Sequence, residues 1–136
     1  MVIHCVRAED EVLSILATDG VPGRGGIVHS FWGSARQAER FVEMGFDLSV
    51  GTQITRATTG KAIEAVKAVG LDHLMVETDA PSRPPAQEPG DRNEPAYLPC
   101  VVDSLALVLG VDRATVAERT AQNALRVFDL PDERLV

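Results

Sequence analysis

Leu74-Met75-Val76-Glu77-Thr78-Asp79-Ala80-Pro81 is the stretch on which the reading of this chain turns. An apolar run suited to a buried strand acquires two carboxylates just before a proline stops it. Strand side chains two apart share a face, so Glu77 and Asp79 are expected to project together from the carboxyl end of a strand. In parallel α/β folds that rim is where ligands bind and catalytic groups stand.

The segments around it supply more strands and the helices between them. Val2-Ile3-His4-Cys5 reads as a short buried strand. Arg7 to Thr18 follows, with Ala8, Val12, Ile15 and Leu16 at the spacing of a one-faced helix. Gly25 to Phe31 is a second strand with His29 near its carboxyl end. Ser34 is placed to cap a helix through Met44 that Gly45 closes. Phe46 to Gly51 alternates apolar and polar residues as a third strand, followed by a polar loop, Thr52 to Thr58, able to cover a site. A helix opening at Thr59 or Gly60 and running to Val69 leads to the fourth strand, Asp72 to Asp79. The proline-rich, acidic segment Ala80 to Glu94 is expected to be irregular. A helix from about Pro99 to Leu109 and two short ones, Asp112 to Arg119 and Thr120 to Phe128, complete the chain. Strands alternating with helices imply a parallel sheet with right-handed crossovers; doubly wound and barrel topologies both fit that pattern.

At 136 residues the chain is one domain's worth, but roughly half the ~250 residues of a complete (β/α)8 barrel. Its formal charge of -7 disfavours holding nucleic acid by bulk electrostatics, so a phosphate ligand requires bound metal or a local basic cluster. Cys5 and Cys100 lie far apart without metal-clip spacing and read as reduced thiols. The start lacks the pattern of a secretory signal and no apolar run is long enough to span a bilayer, so the expectation is a cytoplasmic protein with no membrane partner.

Three of the four strands end in groups that can bind a metal: His4, His29, and the pair Glu77 and Asp79. All carboxyl ends of a parallel sheet share one rim, so two imidazoles and a carboxylate can converge there. That donor set suits zinc or manganese, and magnesium where oxygen ligands dominate. A single strand-end histidine is ordinarily a hydrogen-bonded core residue. Two in register beside an acidic strand end point to a divalent-metal site instead. An inward Glu77 needs a metal or an arginine to stay ionised, and Arg92 and Asn93, on the loop after the acidic strand, are candidates to neutralise it or to bind phosphate. His73, at the other end of that strand, reads as surface. GxGxxG, GxxxxGK[ST] and GxSxG motifs are all missing, which removes support for Rossmann, P-loop and α/β-hydrolase readings.

Taken jointly, Ile3-His4-Cys5, Val28-His29-Ser30-Phe31 with Gly33-Ser34, Glu77-Thr78-Asp79-Ala80-Pro81, Arg92-Asn93-Glu94-Pro95 and Asn123-Ala124-Leu125-Arg126-Val127-Phe128 resemble the signature blocks of the TatD-family DNases and related metal-dependent hydrolases, in order and spacing. The resemblance implies a TIM (β/α)8 barrel architecture with a divalent-metal site at the carboxyl rim and hydrolysis of DNA phosphodiester bonds through a metal-activated water. By position, His4 and His29 would be metal ligands. Asp79 would be a ligand that also positions or deprotonates the water, with Glu77, Arg92 and Asn93 in support. The family's first half carries a His-x-His or His-x-Asp pair on strand one and a glutamate on strand four, and this chain has neither. The expectation is therefore a single truncated domain over residues 1–136, an α/β parallel repeat equivalent to strands five to eight, half a barrel. A homodimer or a chain supplying the missing half would complete it, with DNA or another phosphodiester as substrate. The alternative is a non-catalytic truncated paralogue.

Overall fold

A computed structural model describes residues 1–56, 60–88 and 90–131. The elements run β1 (Val2–His4), α1 (Glu9–Asp19), β2 (Gly26–His29), α2 (Ala35–Glu43), β3 (Phe46–Val50), α3 (Lys61–Val69), β4 (Leu74–Val76), α4 (Leu98–Leu109) and α5 (Arg113–Phe128). Short 3₁₀ turns cover Thr52–Arg56, Leu71–His73 and Pro95–Tyr97. All neighbouring strands pair in parallel in the order β1-β2-β3-β4. A doubly wound sheet reverses its strand order at a switch point. Here each crossover steps to the next strand in the same direction, so the sheet is a barrel wall.

The two faces of that wall differ in chemistry. Val28, Leu48 and Leu74 are in register, and with Phe46 and Val50 they join the apolar core formed with Leu13, Phe41, Val66, Leu105 and Val116 of the helices. Phe41 is fully buried and meets Phe31 and Phe46 edge to face, at ring-centroid distances of 6.0 and 6.3 Å. Truncating it to alanine is expected to cost about 3–5 kcal/mol. The intervening residues, Ile27 and His29 on β2, Asp47 and Ser49 on β3 and Met75 on β4, point the other way, into what a barrel makes its interior.

Helix ends follow local chemistry. Ser34 and Gln37 form a reciprocal capping box on α2, and Asp112 caps α5 by accepting from the Thr115 amide at 2.9 Å. Hydrogen bonding to Thr115 also holds the Asp112 carboxyl below the usual carboxylate range. Pro99 sits in the first turn of α4, where its missing N–H breaks no helical bond.

Two elements depart most from the sequence reading, beside shifts of one or two residues at the ends of others. The fourth strand spans Leu74–Val76 rather than Asp72 to Asp79, because a 3₁₀ turn precedes it and Asp79 has a left-handed backbone, φ 56°. Arg113–Phe128 is one continuous helix rather than two, since Thr120 turns its hydroxyl back to the Val116 carbonyl at 2.8 Å instead of capping a new start. The expected loop over residues 52–58 opens as a 3₁₀ turn; its end at Thr58 and the helix start expected at Thr59 lie outside the described residues.

Helix α5 crosses to the amino ends of β3 and β4. Asn123 donates to the Leu71 and Leu74 carbonyls at 2.9 and 2.8 Å, and Arg126 reaches the buried Asp47 carboxylate at 2.6 Å. His73 also meets Asp47, at 3.2 Å, so it serves a buried ion network as well as facing solvent. Ala124 and Phe128 close a cavity of about 210 Å³ against Val2, Ile27 and Met75 on the inner face. No helix among the described residues is long and apolar enough to cross a membrane.

Candidate functional site

A cavity of about 650 Å³ opens at the carboxyl rim, lined by His4, Cys5, Arg7, His29, Ser30, Trp32, Asp79 and Arg83, with Lys61 and the acidic first turn of α1. Among the described residues, five that are not glycine adopt a left-handed backbone: Arg7, Ser30, Asp79, Arg83 and Asp129. Four of these five line this one cavity. Such conformations are costly and are retained where the surrounding structure imposes them, characteristically at functional sites. The two acidic-strand carboxylates thus reach the site by different routes, Glu77 in strand-like continuation and Asp79 through a turned backbone.

His29 is the hub. Its Nδ1 lies 2.7 Å from Glu77 Oε2. A carboxylate only accepts, so Nδ1 carries a proton, which leaves Nε2 as the nitrogen that can offer a lone pair to a ligand. Nε2 in turn faces Asp79 Oδ1 at 3.6 Å. Ser49 fixes the far side of this arrangement, donating its hydroxyl to Glu77 Oε2 while accepting the Ser30 amide at 3.0 Å. Gln53 donates to the Ser30 hydroxyl at 2.9 Å. Gly51 leaves the space that Glu77 occupies: a Cβ there would stand 3.3 Å from Glu77 Oε1 and 2.6 Å from Gln53 Oε1. Oε1 itself is buried without a hydrogen-bond partner among the described residues. His4 stacks obliquely beside the hub, with ring centroids 5.7 Å apart.

This arrangement meets part of what a metal centre requires. A histidine whose second nitrogen is tied to a carboxylate is the usual form of a metal-bound imidazole. Two donors 3.6 Å apart suit one ion with bonds of about 2.1 Å meeting at roughly 120°. Yet among the described residues no group of three or more His, Cys, Asp or Glu side chains gathers closely enough to hold an ion. The donors present therefore fit one wall of a centre and leave its opposite side open. Burial pushes the Cys5 thiol up, reinforced by Glu9 and Glu11 against the opposing hydrogen bond of the Ala8 backbone.

The loop residues singled out from the sequence divide. Asn93 is almost fully buried, and its amide nitrogen donates to the carbonyls of Thr78, Ser82 and Arg83 while its backbone N–H donates to Pro81. It staples the segment that presents Asp79 and Arg83. Arg92 departs from the expectation. Its side chain is 80% exposed, lies 3.9 Å from Glu94, and does not line the cavity; Arg83 is the loop arginine that does. Glu77 is neutralised by neither, being held by His29 and Ser49. Sequence reasoning passed over Ser49, Gln53 and Asp47. The signal for Ser49 and Asp47 was the alternation of Phe46 to Val50, whose polar face is buried rather than solvated.

The chain matches the profile of the family described as TatD related DNase over residues 1–129. It is 37% identical over 128 residues to the uncharacterized metal-dependent hydrolase YabD of Bacillus subtilis, covering 94% of this chain and 50% of that protein. To the 3'-5' ssDNA/RNA exonuclease TatD of Erwinia tasmaniensis it is 32% identical over 133 residues, covering 94% and 51%. The crystal structure of YjjV, a TatD homolog from Escherichia coli K12, superposes with a TM-score of 0.86 at 32% identity, covering 96% of this chain and 50% of that one. The chain thus spans about half the length of the curated relatives it matches.

Proposed function

The chain belongs to the TatD related DNase family, and on that premise we propose that it supplies one wall of a divalent-metal phosphodiesterase site acting on DNA or a chemically similar phosphodiester. The observation that carries this reading is His29, clamped through Nδ1 by Glu77 and facing Asp79 through Nε2 in the cavity where backbone strain collects. His29 and Asp79 would hold the ion, zinc, manganese or magnesium, and His4 would join them as a ligand alongside donors from the missing wall. When bound, it would polarise a phosphate oxygen and lower the pKa of a water molecule. Asp79 would accept the proton that water gives up at a carboxylate oxygen, and Arg83 and Arg7 would face the anionic substrate.

Support for the metal and for the nucleic-acid substrate comes from the donor set and from the names of the relatives above. The incomplete donor set favours completion by a homodimer or by a second chain carrying the other half, since a half barrel also leaves the edges of β1 and β4 unpaired. The test is a titration of the purified chain with zinc, manganese and magnesium, read by calorimetry and thermal unfolding, beside hydrolysis of a labelled oligonucleotide and the solution mass. Binding with hydrolysis in an assembly larger than one chain is expected. If no metal binds or stabilises and no hydrolysis appears, the enzymatic reading falls. Metal binding without hydrolysis in a monodisperse monomer would favour the non-catalytic paralogue.

A further inference from the structure

We infer that Ser49 is a positioning residue whose hydroxyl holds the Glu77 carboxylate and the turn after His29 in one frame, fixing the direction of the His29 imidazole; its consequence for chemistry rests on the phosphodiesterase reading above. Ser49 lies in β3 with 2% of its surface exposed, and it lines the inner-face cavity with Ile27 and Met75, where an apolar side chain would pack. A buried hydroxyl needs partners, and this one finds them beyond the ends of two other strands. It donates to Glu77 Oε2, just past β4, and accepts the Ser30 amide, just past β2, at 3.0 Å. The Ser49 carbonyl accepts the next amide, that of Phe31, also at 3.0 Å. One residue of β3 therefore holds both backbone N–H groups that follow His29, across the left-handed turn at Ser30, φ 50°.

The Glu77 carboxylate depends on this hydroxyl because its bonds are unevenly shared. Among the described residues both side-chain bonds to it fall on Oε2, from His29 Nδ1 at 2.7 Å and from Ser49, while the buried Oε1 has no partner. Two donors converging on one oxygen from different strands fix where that oxygen stands. Without the hydroxyl, His29 is the one side chain still bonded to the carboxylate among the described residues, and the Ser30 amide loses its acceptor at the same time. The carboxylate is then free to turn about its own axis, and its bond to Nδ1 opens more often. Nε2, which faces Asp79 at 3.6 Å, loses its fixed direction with it. Metal affinity is sensitive to such outer partners, whose removal typically costs about 10–100-fold.

The test compares Ser49→Ala, Ser49→Thr and Ser49→Val in the full chain. Threonine keeps the hydroxyl and valine has nearly its shape without one; the inner-face cavity of about 210 Å³ gives the added methyl groups room. In metal-free protein at one fixed pH, proton NMR should show the Nδ1 proton of His29 as a downfield signal, assigned by its loss in His29→Gln. That signal should persist in Ser49→Thr and broaden away by solvent exchange in Ser49→Ala and Ser49→Val. Zinc titration by calorimetry should weaken roughly tenfold to a hundredfold in the alanine and valine variants and only a few-fold in threonine. Circular dichroism and urea unfolding check that each variant folds. A merely structural serine would lower the urea midpoint and leave the His29 proton as in the wild type. That result, equal behaviour of threonine and valine, or a wild type without the His29 signal overturns the inference. If the signal follows the hydroxyl but the wild type binds no zinc, manganese or magnesium, the positioning of His29 stands and the metal-site reading falls.

Discussion

Replacing Asn93 separates two roles the sequence could not distinguish, substrate ligand and loop staple. Its amide nitrogen has two hydrogens and three acceptor carbonyls around it, on Thr78, Ser82 and Arg83. At a net of about 1 kcal/mol for each neutral hydrogen bond, and with Ser82 and Arg83 exposed enough for water to satisfy their carbonyls in part, Asn93→Ala should lose about 2–3 kcal/mol. Asn93→Asp should lose more although its shape is unchanged, because a carboxylate then points at three carbonyl oxygens. The damage should be local. The segment is also tied down by Thr52, which donates to the Arg83 carbonyl, and by Arg56, which donates to the Pro84 carbonyl at 3.0 Å, so its far end stays attached. Urea unfolding gives the magnitude and native-state hydrogen exchange gives the location. The Ser82 amide, bonded to Asp79, should lose protection well before the Leu48 amide of β3. A loss below about 0.5 kcal/mol in Asn93→Ala, uniform loss of protection, or an Asn93→Asp protein as stable as the wild type would refute the staple. A substrate ligand would instead leave stability intact and affect binding alone.

Three further outcomes follow from the same geometry. Glu77→Gln keeps the shape but gives His29 Nδ1 a neutral partner, and metal affinity by calorimetry should fall about 10–100-fold while the unfolding midpoint moves little. Arg126→Ala strands the Asp47 carboxylate, whose side chain is 5% exposed, with His73 as its remaining ionisable partner among the described residues; chemical denaturation should show a loss of about 2–3 kcal/mol, moderated because Arg126 itself is half exposed. The depressed Asp112 carboxyl contributes stability that is present above the ordinary carboxylate range and lost as pH falls through its lowered value. The gap between wild type and Asp112→Ala in thermal unfolding should therefore be full at neutral pH and close under acid.

Much of this was legible because strand periodicity and helix capping are local. Ser34, Pro99 and Asp112 announce helix starts by chemistry that needs no tertiary partner, and the order of β and α segments already implied a parallel sheet. The rim histidines were legible for the same reason, since a strand end is recognisable from its turn. What was not legible depends on contacts between distant elements. Ser49 matters because the Ser30 amide and Glu77 converge on it from two other strands, separated from it by 19 and 28 positions. Asp79 has a left-handed φ, and the Asn93 bond to the Thr78 carbonyl that holds the turn comes from 15 positions away. The different directions of Asn93 and Arg92 were not legible because adjacency in sequence says nothing of direction: one side chain is buried under the loop and its neighbour points to solvent.

The division of the sheet into two faces separates the packed core from the candidate site. The apolar core gathers on the helix side, where Val28, Leu48 and Leu74 meet residues from α1 to α5, and none of it needs a barrel to close. On the inner face, Ile27 and Met75 are buried outside that core, and α5 shields the lower part of the sheet through Asn123, Arg126 and Phe128. Burial there is achieved by the chain's own last helix at the amino ends of the strands. At the carboxyl ends His29 opens into the rim cavity, while Ser49 and Glu77 behind it line the smaller inner-face cavity, with one buried Glu77 oxygen unpartnered among the described residues. Stability and chemistry therefore draw on opposite faces of the same four strands. The helix side is packed among the described residues, whereas the rim side opens to the cavity.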